Sequence, residues 1–356
     1  MNHIIHILIT GAGAPGIDGT IFSLKNNPDN KQFKIITTDI NPNAVGQYMS
    51  DKFYVLPKPE DTSYINEIIK IITKEKIDVI LPQTTREINI LSKFKDQIQN
   101  QNCTTIVSKH EAIKIANDKY LLLELCKKHA IPHPNYILIN SQKEFHLALE
   151  KLNFPQKNII IKPRHSNGQR GVRIITNETL SYSQLINEKP FNLSMSFNEI
   201  NKIFSEKKTF DDYLVTDYLE GNEYTVDSYR NDTIIKSIPR KRTKIRSGIS
   251  FETSIENNKN LINYSNQLAT ILDLTYCFGF QFKCDENKIP KILECNPRVQ
   301  GSMAATVIAG FNLIYYSVLD ALKINYKPNT SINMKSQFIR TWSGIGINNH
   351  NEAKKI

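Results

Sequence analysis

Glu294, Asn296 and Arg298 stand two apart in Ile292-Leu293-Glu294-Cys295-Asn296-Pro297-Arg298, and Gln281 sits in the earlier apolar run Gly279-Phe280-Gln281-Phe282. Alternate residues of a strand share a face, so Glu294 and Asn296 point the same way and Gln281 on a neighbouring strand can face them. Carboxylate and amide oxygens converging from adjacent strands suit Mg²⁺, which takes few protein ligands and shares the rest with phosphate. Arg298 is then close enough to brace a transferring phosphoryl group. A buried Glu-x-Asn beside an arginine is also what a structural ion pair looks like.

A second candidate is the run from Ile160 to Val172. Its apolar strand delivers Lys162, and a polar loop containing Ser166, Gly168 and Gly171 follows before a strand resumes. Such a hairpin loop can fold its N–H groups over a triphosphate while the lysine supplies a point charge; an exposed hairpin with a solvated lysine is the alternative. A third is Asp217-Tyr218-Leu219 leading to Glu223. There an extended segment can offer main-chain groups to an adenine and a carboxylate to ribose hydroxyls, or form a plain strand-turn-strand.

Gly11-Ala12-Gly13-Ala14-Pro15-Gly16 satisfies GxGxxG after a strand, and Asp39 ends the next strand where a ribose-binding acid would sit. The pattern is weak evidence for NAD(P), because tight strand-to-helix turns favour glycine and Pro15 is unusual in a phosphate cradle. Arg240, Lys241, Arg242, Lys244 and Arg246, followed by Ser250, form the one dense basic cluster. Arginine there suits a substrate carboxylate, with Arg240, Arg242, Arg246 and Ser250 as its candidates; a solvated basic loop after the strand Thr233–Ser237 is the alternative.

The elements that must position these residues come in three blocks. Strands at His6–Thr10, Phe33–Asp39, Asp78–Leu81 and Thr105–Val107 alternate with helices at Thr20–Asn26, Tyr64–Lys74 and Ile88–Ile98, which implies an open parallel sheet over residues 1–110. A helical bridge over 111–129 ends at Ile131-Pro132-His133-Pro134. It opens a small α+β unit reaching residue 212, with strands at Tyr136–Ile139, Asn158–Lys162 and Val172–Ile175 and a helix at Ser141–Leu152. Residues 181–212 are rich in Ser, Asn and Lys, and a helix plus a mobile stretch is expected there. From 213 to 356, strands at Leu214–Tyr218, Tyr224–Tyr229, Thr233–Ser237, Gly279–Lys283 and Lys291–Glu294, with a helix at Asn260–Leu272, predict an antiparallel sheet carrying helices.

Composition bounds the rest. The 356 residues allow two or three packed units, and 40% apolar with 22% charged residues is ordinary for a soluble globular protein. No run approaches the roughly 20 apolar residues of a membrane span, and the apolar start reads as a buried strand instead of a signal peptide. Five unpatterned cysteines suit reduced core thiols in the cytoplasm. The net charge of +10 comes from scattered lysines, and the basic cluster holds no aromatics, so a small anionic substrate fits better than nucleic acid.

Taken in order, these pieces resemble the ATP-grasp superfamily, and within it the carbamoyl-phosphate-synthase-like proteins, over nearly the whole chain to about residue 325. The resemblance implies a Rossmann-like pre-ATP-grasp domain that binds no dinucleotide, followed by a two-subdomain ATP-grasp fold. It also implies roles. Gln281, Glu294 and Asn296 would hold Mg²⁺ or Mn²⁺, Arg298 would face phosphates, and Lys119 (in Asn117-Asp118-Lys119) and Lys162 would bind ATP phosphates. Ser166 to Gly171 would form the lid, Asp217 to Leu219 the adenine hinge, and Glu223 the ribose partner.

Carbamoyl-phosphate synthetases carry two such copies and this sequence one, so carbamoyl phosphate is not the expected product. Gln281 stands where many ATP-grasp ligases have an acid. The expectation is a ligase that forms an acyl phosphate from ATP and a carboxylate and passes it to an amine or other nucleophile. A kinase-like enzyme that stops at the acyl or carbamoyl phosphate, or an NAD(P)-dependent oxidoreductase, is the alternative. A homodimer is the default for a soluble enzyme.

Overall fold

The computed structural model describes residues 4–166, 168–177, 183, 193–329, 331–341, 343–348 and 353–355. The first block forms β1 (Ile5–Thr10), α1 (Ile17–Lys25), β2 (Phe33–Asp39), β3 (Lys52–Val55), α2 (Tyr64–Glu75), β4 (Val79–Pro82), α3 (Thr85–Lys93), α4 (Lys95–Gln99) and β5 (Thr104–Thr105). Its strands pair in parallel in the order β3-β2-β1-β4-β5. Both faces are covered, as the apolar runs require. Ile7 and Ile9 of β1 join one core with Leu24 of α1, while Leu8 joins another with Ile68 and Ile72 of α2. The expected helix Ile88–Ile98 is two helices, broken at Phe94.

The bridge is α5 (His110–Ala116) and α6 (Lys119–Lys128). Asp118 caps α6, accepting from the Tyr120 and Leu121 N–H groups at 2.9 and 3.1 Å. The second block then runs through β6 (Tyr136–Ile139), α7 (Gln142–Lys151), β7 (Ile159–Pro163), β8 (Arg173–Thr176), β9 (Ser194–Ser196), α8 (Phe197–Ser205) and β10 (Tyr213–Asp217). Its sheet order is β6-β10-β7-β8-β9.

β10 pairs antiparallel with both β6 and β7, so the expected break at 212/213 falls too early: the second sheet is complete only at Asp217. Sequence order placed β10 with the strands that follow it, but its pairing partners lie behind it in the chain. The helix expected within 181–212 is α8, which Ser196 and Glu199 start with a reciprocal capping box. The mobile stretch is expected in the same range, of which residues 181–182 and 184–192 lie outside the described residues.

The third block contains β11 (Glu223–Arg230), β12 (Ile235–Arg246), β13 (Ile249–Ile255), α9 (Lys259–Ile271), β14 (Tyr276–Cys284), β15 (Pro290–Asn296), α10 (Ala305–Ile308), α11 (Leu313–Ala321) and β16 (Gln337–Ile339). Its antiparallel sheet has the order β15-β14-β11-β12-β13-β16. The basic cluster is not a loop after a short strand: Arg240 to Arg246 continue β12 and pair with β13.

Period-2 alternation divides this sheet. Phe278, Phe280 and Phe282 of β14 pack with Val226 on a core shared with Leu122 and Leu123 of α6 and Leu268 of α9. The opposite face carries the polar residues. Unforeseen in sequence, α11 wedges Leu313 and Val318 into the core that also holds Ile7 and Ile9, tying the third block to the first.

Candidate functional site

A cavity of about 920 Å³ opens between the three sheets. Lys119, Lys162, Ser166, Gly168, Asp217, Tyr218, Leu219, Glu223, Arg242, Ser250, Gln281, Glu294, Asn296 and Arg298 all line it. Residues from three separate regions of the sequence thus meet around one space.

The oxygen-bearing side chains come from β14 and β15. Gln281 is paired with Glu294 and Gly279 with Asn296, which puts the three polar side chains on one face. A register shift makes this possible. Phe282 pairs with Ile292 and Gln281 with Glu294, so Leu293 is an extra residue bulged out of the ladder. Strict alternation from the core residue Ile292 would send Glu294 into the core. The bulge turns it to the cavity instead.

Asn296 Nδ2 donates to Glu294 Oε1 at 3.1 Å, and Arg298 Nη2 donates to Asn296 Oδ1 at 3.1 Å. Carboxylate and amide oxygens carried on one face of adjacent strands are the donor chemistry a hard divalent cation takes. Gln281, Glu294 and Asn296 therefore fit Mg²⁺ or Mn²⁺. Gln281 Oε1 also lies 3.4 Å from Arg242 Nη1.

Two lysines line the cavity beside these oxygens. Lys162, at the end of β7, is buried and directs Nζ toward the Leu293 carbonyl at 3.4 Å. Burial and the neighbouring Lys119 pull its pKa down to about 8, against an opposing pull from Glu294. Lys119 starts α6 and donates to the Ser166 carbonyl at 2.7 Å and to its hydroxyl at 3.2 Å; burial lowers its pKa as well. The loop after β7 is anchored a second time by Arg164, which binds Asp118 and Asp212. Among the described residues neither lysine is ion-paired with a carboxylate, and a buried ammonium so placed is costly. A polyanion in the cavity would relieve that cost.

Several expected residues stand elsewhere or are already engaged. Arg240 does not line the cavity: it is 1% exposed and paired with the equally buried Asp227 beneath it, with Ser302 Oγ 3.4 Å from Nη1. Its neighbour Thr225 faces the cavity, but the longer arginine turns to the buried carboxylate of Asp227. Arg246 is exposed and lies over the Phe251 ring at 5.0 Å from its centroid. Gly171 is also off the cavity. Its φ of +75° and the 2.5 Å that would separate a Cβ from Pro163 Cγ explain the glycine by backbone approach.

Glu223 lines the cavity but is ion-paired with Arg242, which also donates to Ser250 Oγ at 2.8 Å and to the Gly248 carbonyl at 2.6 Å. Of the basic cluster, Arg242 is thus the member facing the site, and Ser250 orients it. Asp39 accepts from the Gly13 N–H at 2.7 Å and the Asn41 N–H at 2.8 Å, so its carboxylate braces its own turn. Gly16 lets the turn pack on the third block, since a Cβ there would meet Gly301 Cα at 2.7 Å.

Sequence reasoning missed the wall supplied by the first block: Gln83, Thr84, Thr85 and Glu87, together with Gln300 and Ser302. A signal existed. Gln83 and the two threonines follow β4 directly, beside β1 where the strand order reverses, and ligand crevices in open parallel sheets lie beyond such strand ends.

Comparison with known proteins accords with this geometry. Residues 209–341 match the family described as ATP-grasp in the biosynthetic pathway with Ter operon, and residues 7–106 match the PylC-like N-terminal domain. The chain carries an ATP-grasp domain behind a PylC-like N-terminal domain.

Curated relatives include the carbamoyl phosphate synthase large chains of Clostridium acetobutylicum (23% identical over 278 residues, 75% of this chain) and Methanothermobacter thermautotrophicus (26% over 269 residues, 72% of this chain). The chain spans about a quarter of the length of these relatives, 24% and 23% respectively. Among solved structures, N5-carboxyaminoimidazole synthetase from Staphylococcus aureus complexed with ADP superposes with a TM-score of 0.68 at 18% identity, covering 93% of this chain and 80% of that one. Biotin carboxylase from Campylobacter jejuni in its β,γ-ATP complex also gives 0.68, at 14% identity over 93% of this chain and 74% of that one. These likenesses establish a shared fold.

Proposed function

We propose that the chain is an ATP-dependent ligase that activates a carboxylate as an acyl phosphate and passes it to an amine or another nucleophile. The observation that carries this reading is the meeting of Lys119 and Lys162 with Gln281, Glu294, Asn296 and Arg298 around one cavity. The fold neighbours complexed with ADP or an ATP analogue support the same reading.

ATP would lie with its adenine against Asp217 to Leu219 and its phosphates between Lys119, Lys162 and Arg298, under the loop at Ser166 and Gly168. Glu223 would meet the ribose once Arg242 yields it. Gln281, Glu294 and Asn296 would hold Mg²⁺ (or Mn²⁺), which neutralises charge on the phosphate oxygens. A carboxylate oxygen attacks the γ-phosphorus in line, and the lysines and Arg298 stabilise the equatorial oxygens, so catalysis is chiefly positioning and electrostatics. The closed lid keeps water from the acyl phosphate until the nucleophile arrives. Residues 1–110 supply the wall opposite the phosphates, the second block the lid, and the third the catalytic sheet.

The test is ADP release from Mg-ATP across pairs of small carboxylates and amines, with alanine at Lys162 or Glu294. Either substitution abolishes carboxylate-dependent release, and retained turnover refutes the assignment. Release of ADP with no amine present would favour an enzyme that stops at the acyl phosphate. Stabilisation by NAD(P)H in place of Mg-ATP would favour the oxidoreductase.

A further inference from the structure

The cavity continues past its phosphate end into a pocket walled by the first block, and the reading above assigns that pocket no chemistry. Arg298 Nε donates to Thr85 Oγ1 at 3.1 Å, which docks the first turn of α3 on the proposed phosphoryl-transfer centre. Two residues further along the helix, Glu87 lines the same cavity and is 6% exposed. Tyr64 OH donates to its Oε1 at 3.2 Å and Thr84 Oγ1 to its Oε2 at 2.7 Å.

A purely capping glutamate at this position would reach back to the N–H of Thr84. The carboxyl group of Glu87 instead takes a hydroxyl on each oxygen. Among the described residues no lysine, arginine or histidine pairs with it. A buried carboxyl without a counter-ion is expensive, and at a cavity wall the missing partner can come from a ligand.

The glycine-rich turn gains a reason here. Gly11 has φ +72°, and a Cβ on it would come within 2.5 Å of Thr84 Cγ2 and 3.0 Å of Glu87 Oε2. Glycine thus lets the turn close over the start of α3 without crowding the carboxyl group.

We propose that this pocket holds the nucleophile as an amine and that Glu87 accepts its proton. The inference rests on the ligase reading. In the step, the amine nitrogen bonds to the acyl carbon, the bond from that carbon to the phosphate oxygen breaks, and phosphate leaves with the electron pair. The proton shed by the nitrogen passes to a Glu87 oxygen, so an amide, inorganic phosphate and a protonated Glu87 result.

The groups around Glu87 set it for this role. Burial pushes its pKa up to about 7 and the Asp39 charge acts in the same direction, while the Thr84, Thr10 and Tyr64 hydroxyls oppose them. Burial lowers the Arg298 pKa, and Glu87 is among the charges that oppose this after Glu294 and Cys295, so the two groups lie within electrostatic reach. A base poised near neutrality is what proton transfer from an amine at pH 7 needs.

The test uses the full chain carrying glutamate labelled with ¹³C at the carboxyl carbon, with Mg-ADP and with methylamine as the probe amine. Glu87→Gln identifies the Glu87 signal by its loss, and Glu87→Asp does so if the glutamine variant fails to fold. The signal is expected to titrate near pH 7, and 50 mM methylammonium is expected to move its midpoint down by about half a unit, because a cation beside a carboxylate favours the charged form. Acetate at the same concentration should not. A midpoint in the usual glutamate range, or one indifferent to methylammonium, overturns the proposal. Thermal stabilisation by Mg-ADP, measured on the same samples, reports separately on the nucleotide site. Its absence sinks the ligase reading, whereas its presence without an amine response sinks only the role of Glu87.

Discussion

Replacing Lys162 with methionine removes a buried ammonium while keeping most of its stem. The native pKa is drawn from 10.5 to about 8, chiefly by burial. A depressed basic pKa means that the free protein has its full stability above pH 10.5 and loses it as pH falls to about 8. Below that the cost is constant. A displacement of about 2.5 units corresponds to about 3 kcal/mol.

Against this stands one weak contact, the 3.4 Å approach to the Leu293 carbonyl, which contributes under about 1 kcal/mol. Lys162→Met is therefore expected to stabilise the free protein by about 2 kcal/mol at pH 7, with the gain fading as pH rises toward 10.5. The same variant should lose the stabilisation that Mg-ATP gives the wild type. Urea unfolding at pH 7 and pH 10, with and without Mg-ATP, measures both effects. A variant less stable than wild type at pH 7 that still gains from Mg-ATP would refute the idea that the lysine is held there for a polyanion.

Glu294→Gln should keep the fold, because its site faces the cavity, and should raise the Mg²⁺ concentration needed for nucleotide stabilisation by at least tenfold, read by thermal shift against Mg²⁺. Arg240→Ala should destabilise by about 3 to 5 kcal/mol by stranding the buried Asp227, in contrast to a small effect at exposed Arg246; urea midpoints compare the two. Gly16→Ala should separate the first and third blocks, since its Cβ would sit 2.7 Å from a backbone carbon, and a loss of about 1 to 3 kcal/mol with a lower affinity for nucleotide is expected from unfolding and binding titrations. Glu75, drawn down to about 2 by Lys52 and Tyr54, stabilises the folded state above pH 4.5 and loses that effect as pH falls toward 2; the acid unfolding transition should flatten in Glu75→Gln.

Local chemistry was sufficient to read most elements from the chain. Alternating apolar residues marked the strands, and breakers such as Ile131-Pro132-His133-Pro134 marked the turns, so the parallel first sheet and the antiparallel last one were both legible. So were Lys162 at a strand end and the shared face of Glu294 and Asn296, because residue type and a spacing of two are properties of the sequence itself.

Pairing partners and competition for charges were decided only in three dimensions. β10 belongs with strands before it in the chain, which its own residues do not announce. A single bulged residue, Leu293, determines that Glu294 faces the cavity and not the core, and a bulge depends on the ladder formed with a neighbour. Arg240 and Arg242 share a strand face, yet one is consumed by buried Asp227 and the other reaches the site through Glu223, Ser250 and Gly248. Glu87 stood outside the helix expected at Ile88–Ile98 and nothing singled it out; the fold puts it in the first turn of α3 and carries that turn against Arg298. Sequence set which groups were available, while distance and burial selected the ones that meet.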